Sequence, residues 1–384
     1  MVILNRIPRF LSRYYSNSSF KPQGADFSES EKLEFQDSPD LIHQKALTLA
    51  QWISSSKYLI AFTGAGISTS AGIPDFRSGQ NTIVPTGPGQ WEAKKNSIAP
   101  APLNTAIPTF THMALSELTK KGFLKFIISQ NVDGLHLKSS VDMQKLAELH
   151  GNANIEKCTK CKQQYLRDYK VRKTGSLEHL TGNFCDDSEC NGALVDNIVL
   201  FGDSLDKEML GKCFSEAEKA DLCIVLGSSI RVNPAAVFPK MVAKNGKLAI
   251  VNLQKTPLDS VALRVNSLCD PFIEVLMKIL GIQVPEFKVK RKIEVKAGNG
   301  KIRVRGLDSM GNEFSVIKKI RVGDKEVCKQ PFEFDAGTGI TKLELIFYGH
   351  FGEPSYFIDA YQLQDRENIY NIEFCPGQDF WTQI

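Results

Sequence analysis

The sequence predicts an α/β protein with a doubly wound parallel sheet, a small inserted metal-binding module and an antiparallel β domain at its carboxyl end. Three observations carry this prediction. Apolar runs alternate with helical patterns over about residues 40–283, as in a parallel sheet whose strands are joined by helices. Two cysteine pairs interrupt the alternation between about residues 152 and 197. After Gly281 polar and apolar residues alternate, which is the period of strands.

The parallel sheet is predicted from buried apolar runs at residues 57–62, 126–129, 196–201, 222–226 and 247–251. Helical patterns lie at residues 41–55, 112–121 and 235–244. The segment from residue 77 to residue 110 is rich in Gly, Pro, Ser, Thr and Asn, with Trp91 as its large anchor. A loop of this length is uncommon unless it acts as a lid or is mobile.

The composition is that of a globular protein with more than one domain. A chain of 384 residues is too long for one ordinary core, and 42% hydrophobic with 23% charged residues is a usual balance. The net charge of +4 is small and gives no argument for nucleic-acid binding. No apolar run approaches the ~18 residues that span a bilayer, so an integral membrane protein is not expected. Association with nucleic acid or chromatin stays open.

The first 39 residues are predicted to form an N-terminal tail. No acidic residue precedes Asp26, and three arginines would lie opposite an apolar helical face of Ile3, Leu4, Ile7, Phe10, Leu11 and Tyr14. This pattern is typical of a mitochondrial presequence and slightly favours the mitochondrial matrix. A disordered basic tail is the alternative, because Pro8 weakens a helix there.

A glycine-rich turn follows the first apolar run. Gly64 and Gly66 would let the backbone turn sharply and approach a pyrophosphate, and Ser68 and Thr69 could cap a helix whose positive end faces the phosphates. Arg77 would supply a cation for a diphosphate. Alternatively, the glycine pair has no binding role, because a strand-to-helix turn can require glycine for steric reasons alone. Together these residues predict a dinucleotide-binding loop on a Rossmann-like sheet.

Four cysteines have the spacing of metal ligands. Cys158 and Cys161 are separated by two residues, and Cys185 and Cys190 by four. Four thiolates suit tetrahedral zinc and leave no position open for substrate, so the predicted zinc is structural. The nine cysteines together indicate metal ligands plus free thiols in a reducing compartment.

Several further motifs follow the glycine turn in a fixed order. That turn ends in Gly-Ile-Pro-Asp-Phe-Arg at residues 72–77. Beyond it lie Gln-Asn-Val-Asp-Gly at 130–134, Leu-His-Gly-Asn at 149–152, the cysteine pairs, Leu-Gly-Ser-Ser at 226–229 and Val-Asn-Leu-Gln at 251–254. In this order and at these spacings, about residues 40–283 resemble the sirtuins, NAD-dependent protein deacylases. The motifs at 72–77 and 251–254, together with Thr-His-Met-Ala-Leu at 111–115, look most like the nuclear-type group that includes human sirtuins six and seven.

The resemblance implies the site residues. His150 would be the general base, since an imidazole exchanges a proton near neutral pH. Asn131 and Asp133 would bind the nicotinamide carboxamide, with simple turn chemistry at a strand end as the alternative. The other NAD contacts that the resemblance implies are Gly64, Ala65, Gly66, Thr69, Ile73, Phe76, Arg77, Gln130, Gly227, Ser228, Ser229, Asn252, Gln254 and Cys269.

The resemblance also implies the reaction. The acyl-lysine oxygen attacks the anomeric carbon of NAD as nicotinamide leaves, and His150 activates the ribose hydroxyl that intercepts the alkylimidate. The products are nicotinamide, free lysine and O-acyl-ADP-ribose, made by a deacetylase or a long-chain deacylase. The loop after Arg77 has no Tyr-x-x-Arg pair like that of acidic-acyl-selective sirtuins, which favours a neutral acyl group. The alternatives are a protein mono-ADP-ribosyltransferase and a non-catalytic NAD-sensing module.

Residues 284–384 are predicted to form a separate antiparallel β domain of the sandwich type. Alternating runs lie at 292–296, 301–305 and 342–345, with a turn signal at 298–300. No clustered acid–base set occurs there, so this domain is expected to tune targeting or to bind a protein partner. A chain ending near Gln283 is then expected to stay active on a small acyl-peptide. A basic run at 288–292 and the family resemblance make the nucleus the alternative location.

Overall fold

A computed structural model describes residues 29–90, 92, 102–172, 179–187, 189–200, 202–308, 311–328, 330–335, 342–359, 363 and 367–384. The apolar face of the predicted presequence, Trp91 and Phe201 lie outside these residues. The described α-helices are α1 (Pro39–Ser55), α2 (Phe110–Lys120), α3 (Leu135–Lys138), α4 (Lys207–Lys219), α5 (Val237–Asn245) and α6 (Cys269–Ile279). Among the described residues, no helix has both the length and the apolar character to cross a membrane.

A six-stranded parallel sheet forms the centre of the catalytic part, as predicted. With strands numbered β1 to β20 along the whole chain, it contains β1 (Leu59–Thr63), β2 (Leu124–Ser129), β3 (Leu146–Glu148), β8 (Leu222–Leu226), β9 (Lys247–Val251) and β10 (Leu263–Val265). Their order is β10-β9-β8-β1-β2-β3. Leu49 of α1 and Phe272 of α6 lie in one apolar core, whereas Phe238 of α5 lies in another with Phe62. Helices therefore cover both faces, which confirms the doubly wound, Rossmann-like fold.

Capping residues explain why two helices begin earlier than predicted. Ser38 caps α1 and Pro39 occupies its first turn, where a missing amide hydrogen does no harm. Thr109 and His112 form a reciprocal capping box at α2, in which each side chain accepts the other residue's backbone N–H. Both helices thus start two residues before the apolar periodicity that predicted them.

The predicted parallel strand at residues 196–201 is wrong. Asp196 instead ends β7, which belongs to the metal module, and residues 197–200 form no strand. Val199 N donates to His150 O at 2.9 Å, so this segment lies along the turn that carries His150. The sheet position is taken by the three-residue strand β3, which is too short to give a periodic signal.

The metal module is a small antiparallel sheet inserted after β3. Its strands are β4 (Ile155–Cys158), β5 (Gln164–Arg167), β6 (Leu180–Phe184) and β7 (Ala193–Asp196). A fifth strand, β13 (Phe314–Ser315), comes from the C-terminal region and pairs parallel with β5. The module is therefore built from two distant parts of the chain.

The C-terminal region contains two antiparallel sheets, as predicted. The first has the order β16-β12-β11-β19-β20 and the second β15-β14-β17-β18. Their strands are β11 (Val289–Gly298), β12 (Lys301–Leu307), β14 (Ile317–Val322), β15 (Lys325–Val327), β16 (Phe332–Asp335), β17 (Lys342–Phe347), β18 (Tyr356–Asp359), β19 (Glu367–Phe374) and β20 (Thr382–Gln383). One core, which includes Ile293, Ile320 and Leu345, is shared by both sheets. The predicted turn joins β11 to β12, with Asn299 and Gly300 both at positive φ.

Candidate active site and metal centre

Two loops touch through their backbones at the carboxyl ends of β1 and β8. Gly64 N donates to Leu226 O and Gly66 N donates to Gly227 O, both at 3.0 Å. A Cβ on Gly66 would lie 2.7 Å from the Gly227 Cα, and a Cβ on Gly64 would lie 2.6 Å from the Gly227 oxygen. Only glycine fits at these positions, so the glycine cradle (Gly64, Gly66 and Gly227) is fixed by steric contact.

The helix expected after the glycine turn does not form. Two short 3₁₀ turns, Ala65–Ile67 and Thr69–Ala71, take its place, and Ser68 makes no capping bond. The Ser68 hydroxyl instead donates to Asp133 Oδ2 at 2.7 Å. The capping role predicted for Ser68 is therefore wrong, because a carboxylate from the next strand competes for its hydroxyl.

Asn131 and Asp133 are held rigidly where β2 ends. Asn131 Nδ2 donates to Gly64 O at 3.1 Å, which ties it to the glycine cradle. Asp133 Oδ1 accepts from Leu135 N at 2.9 Å, at the start of α3. Both side chains are buried, so they present fixed amide and carboxylate groups to the space beside the cradle.

His150 follows β3 and has a defined tautomer. Its Nδ1 lies 2.9 Å from the Gln130 carbonyl oxygen, which can only accept, so Nδ1 carries the proton and Nε2 holds a lone pair. Burial lowers the pKa of His150, and the bond to the Gln130 carbonyl opposes that shift only in part. The imidazole is therefore neutral near neutral pH, which is the state a general base needs.

Arg77 is fixed to the loops that follow β8 and β9. Its Nη1 donates to Ser229 Oγ at 2.9 Å, and its carbonyl accepts from Gln254 Nε2 at 3.2 Å. Burial, and next the nearby Arg231, lower the pKa of Arg77 to about 10. The guanidinium remains charged at neutral pH and can pair with a diphosphate.

One cavity of about 820 Å³ brings the predicted site residues together. Its lining includes the whole predicted set: His150, Asn131, Asp133, Gly64, Ala65, Gly66, Thr69, Ile73, Phe76, Arg77, Gln130, Gly227, Ser228, Ser229, Asn252, Gln254 and Cys269. These residues come from loops after β1, β2, β3, β8 and β9 and from the start of α6. Their convergence at the carboxyl ends of the strands is where such sheets bind ligands, and their individual roles stay predictions.

The four paired cysteines form a single cluster. Their sulfur atoms all lie within 4.8 Å of one another, and Cys158–Cys190 and Cys161–Cys185 are each separated by 3.6 Å. Zinc–sulfur bonds of about 2.3 Å in a tetrahedron place sulfur atoms about 3.8 Å apart, so the cluster fits a structural zinc. Lys160 N and Cys161 N point at Cys158 Sγ, at 3.3 and 3.4 Å, and favour its thiolate form.

Comparison with known proteins decides the family. A sequence model described as "Sir2 family" matches residues 80–234. The NAD-dependent protein deacetylase SRT1 of Arabidopsis thaliana is 37% identical, over 82% of this chain and 70% of its own length. SRT1 of Oryza sativa subsp. indica is 36% identical, over 80% of this chain and 66% of its own length. The chain belongs to the Sir2 family.

The catalytic part is also similar to other members of the family. The sirtuin-7 of Homo sapiens is 37% identical over 65% of this chain and 64% of its own length. A solved Sir2 variant with a deacetylated p53 peptide and 3'-O-acetyl ADP ribose is 32% identical, with a TM-score of 0.50. The match covers 62% of this chain and 98% of the chain in the solved structure. The catalytic core is thus that of an NAD-dependent protein deacetylase, and the chain spans about two thirds of the first of these curated relatives.

Sequence reasoning missed two parts of the Sir2-family site. Leu205, Leu210, Phe214 and Val237 form an apolar wall of the cavity. Leu210 and Phe214 lie on α4, and apolar residues at helical spacing do not show whether a side chain is packed in a core or lines a cavity. Glu34 also lines the cavity, although the predicted catalytic domain begins at residue 40. Its carboxylate accepts from Thr82 Oγ1 at 2.6 Å and from Ile83 N at 2.9 Å.

Proposed function

We propose that this protein removes neutral acyl groups from lysine side chains of proteins, with NAD as co-substrate. The products are nicotinamide, free lysine and O-acyl-ADP-ribose. The observation that carries the proposal is the tautomer of His150, whose Nδ1 proton is held by the Gln130 carbonyl. The basic Nε2 is thereby kept available in the cavity that Asn131, Asp133 and the glycine cradle also line.

Each group of residues has one task in this proposal. The glycine cradle lets the backbone approach the diphosphate, and Arg77 supplies the positive charge. Asn131 and Asp133 offer an acceptor and donors to the nicotinamide carboxamide, in positions fixed by Gly64 O and Ser68. His150 takes the proton from a ribose hydroxyl through Nε2. NAD supplies the ADP-ribose group that accepts the acyl chain.

The cavity supports a neutral acyl chain. Leu205, Leu210, Phe214 and Val237 offer apolar contact to an acetyl group or to a longer fatty chain. Among the described lining residues, Arg77 is the one lysine or arginine, and it belongs to the cradle side through Ser229. An acidic acyl group would be desolvated without a cation of its own, which disfavours it.

Product analysis tests the proposal. The full chain is incubated with NAD and lysine peptides that carry acetyl, octanoyl, myristoyl or succinyl groups, and the products are identified by mass spectrometry. We expect O-acyl-ADP-ribose from the neutral acyl peptides and little from the succinyl peptide. ADP-ribose left on protein would instead establish the transferase alternative. Intact NAD with every peptide would favour the NAD-sensing module.

Substitution of His150 supplies the control. His150→Ala should lower kcat by about 10²- to 10⁴-fold, because the base is lost, while NAD still binds in calorimetry. His43→Ala removes an exposed histidine on α1 and should leave both quantities unchanged. Activity of His150→Ala within a few-fold of the unchanged protein would contradict the assigned base.

A further inference from the structure

The C-terminal β domain is joined to the metal module by backbone pairing. Phe314 pairs with Leu166 and Ser315 with Arg167, so β13 becomes an edge strand of the module's sheet. Asp168 N also donates to Ser315 O at 3.3 Å. The module thus depends on a strand that lies outside the catalytic part.

A buried arginine on the module side strengthens this contact. Arg167 Nε donates to Glu156 at 2.6 Å, and its two Nη atoms donate to Asp186 at 2.6 and 3.0 Å. Its Nη1 also donates to the hydroxyl of Ser315. Arg167 is 5% exposed, so its charge depends on these partners rather than on water.

A second buried arginine reaches back from the β domain. Arg291 Nη2 donates to Asp168 Oδ2 at 2.7 Å and lies 3.4 Å from Glu353 Oε1. Arg291, Asp168 and Glu353 are all less than 10% exposed. Removal of one partner from such a group leaves an uncompensated buried charge, so the docked arrangement depends on all three partners.

The docked domain also contacts α3, which lies next to a segment that lines the cavity. Lys138 of α3 lies over the Phe351 ring, with Nζ 5.5 Å from its centroid. The same Nζ donates to Leu103 O at 2.8 Å and to Asn104 O at 3.3 Å. Leu103 packs in one apolar cluster with Ile73, and both line the cavity. Contacts therefore run without a break from the β domain to the cavity wall.

We infer that the C-terminal β domain positions the catalytic site by fixing the metal module and residues 102–106 against α3. Such positioning argues against the expectation that a chain ending near Gln283 stays active on small peptides, since that truncation removes Arg291, Ser315 and Phe351 together. It leaves the identity of the substrate open and does not depend on the proposed reaction.

Two arginine variants, one at the junction and one on the surface of the β domain, test the inference in the full chain. Arg291→Met removes the charge that pairs with Asp168 across the junction. Arg321→Met removes a guanidinium that pairs with Glu344 inside the β domain, at 2.7 Å. Hydrogen exchange of residues 102–106 and 164–171 should rise at least about tenfold in Arg291→Met and stay unchanged in Arg321→Met. For acyl-peptide, kcat should fall more than KM rises, because misplaced groups weaken the chemical step.

Exchange within twofold of the unchanged protein in both segments of Arg291→Met would overturn the inference. The double variant Arg291→Met/Asp168→Asn should recover part of the loss, since it removes the unpaired carboxylate. Exchange does not require turnover, so an inactive protein still gives a result. A failure of the proposed function is therefore distinguishable from a failure of this inference.

Cleavage of the linker provides a second test if Arg291→Met does not fold. A protease site is inserted between Gln283 and Glu286, which are exposed, and the folded protein is cut there. The two fragments should coelute in size-exclusion chromatography and keep the exchange pattern of the intact chain. Fragments that separate, with residues 102–106 as protected as before, would show that the domain does not position the site.

Discussion

The glycine cradle and the junction between the metal module and the β domain are built in opposite ways. The cradle is a contact between backbones, where a Cβ on Gly227 would lie 2.6 Å from Gly66 atoms. The junction is a contact between buried charges, such as Arg291 with Asp168, which are 123 residues apart in sequence. Steric fit decides the first region, whereas charge pairing decides the second.

The difference predicts how each region responds to change. Backbone contact is insensitive to salt and pH but tolerates no added atom. Buried ion pairs tolerate small changes of shape but not the loss of one partner. The metal module belongs with the junction, because its own apolar core is small and includes the cysteines themselves.

Removal of zinc should have the largest effect, and only on the junction side. Structural zinc supplies on the order of 10 kcal/mol to small modules, so Cys158→Ser should cost more than about 3 kcal/mol and abolish stoichiometric zinc. Cys213→Ser is the matched control, since Cys213 is equally buried but lies on α4, in an apolar core of the parallel sheet. For both variants, elemental analysis measures the zinc content and thermal unfolding measures the stability. Active protein that contains no zinc would refute the assignment.

Gly227→Ala should be the next most damaging change, this time at the cradle. Gly227 has φ of +62° and no room for a Cβ, so strain and overlap together should cost roughly 3–6 kcal/mol. Gly122→Ala shares the positive φ of +78° but has open space, and should cost only about 1 kcal/mol. Chemical denaturation and NAD titration compare the two. Equal losses would show that backbone conformation, and not close approach, determines the cradle.

Arg167→Lys should lower the stability less, because lysine keeps the positive charge at the junction. It loses only the planar guanidinium, which donates to several partners at once. A lysine can reach Glu156 or Asp186 but cannot hold both and Ser315 at once, so we expect a loss of about 1–3 kcal/mol. The loss should appear as faster exchange at residues 164–171, with NAD affinity unchanged. A change in NAD affinity alone would place Arg167 in the cradle's function instead.

The same contrast explains what could be predicted from sequence. The cradle and the hairpin at 298–300 need glycine at positive φ or at close approach, so the sequence carries a local sign of each. The cysteine spacing is local too. Helix α2 begins two residues before its apolar periodicity, because capping by Thr109 and His112 sets the start of the helix.

Three other features that sequence reasoning missed depend on distant partners. Residues 196–201 have the apolar character of a buried strand, but the sheet edge is occupied by β3. Strand β13 has two residues, and its partner Leu166 lies in the metal module, far away in sequence. Arg291 resembles its basic neighbours in the run 288–292, and only the fold buries it against Asp168. A single sequence gives no sign of such pairings.

The pH dependence of catalysis should show the smallest effect and also separate the two regions. His150 belongs to the cradle side, and its pKa is lowered below the ordinary 6.5 by burial, opposed only by a backbone carbonyl. The neutral base is thus favoured in the folded state, and it is lost as the pH falls through the lowered pKa. The acid limb of kcat/KM should therefore have its midpoint below 6.5, and that midpoint should not move between low and high salt, because neither cause is a charged side chain. A midpoint at or above 6.5, or one that shifts with salt, would show that a charged group controls His150 and that the cradle side also depends on ion pairing.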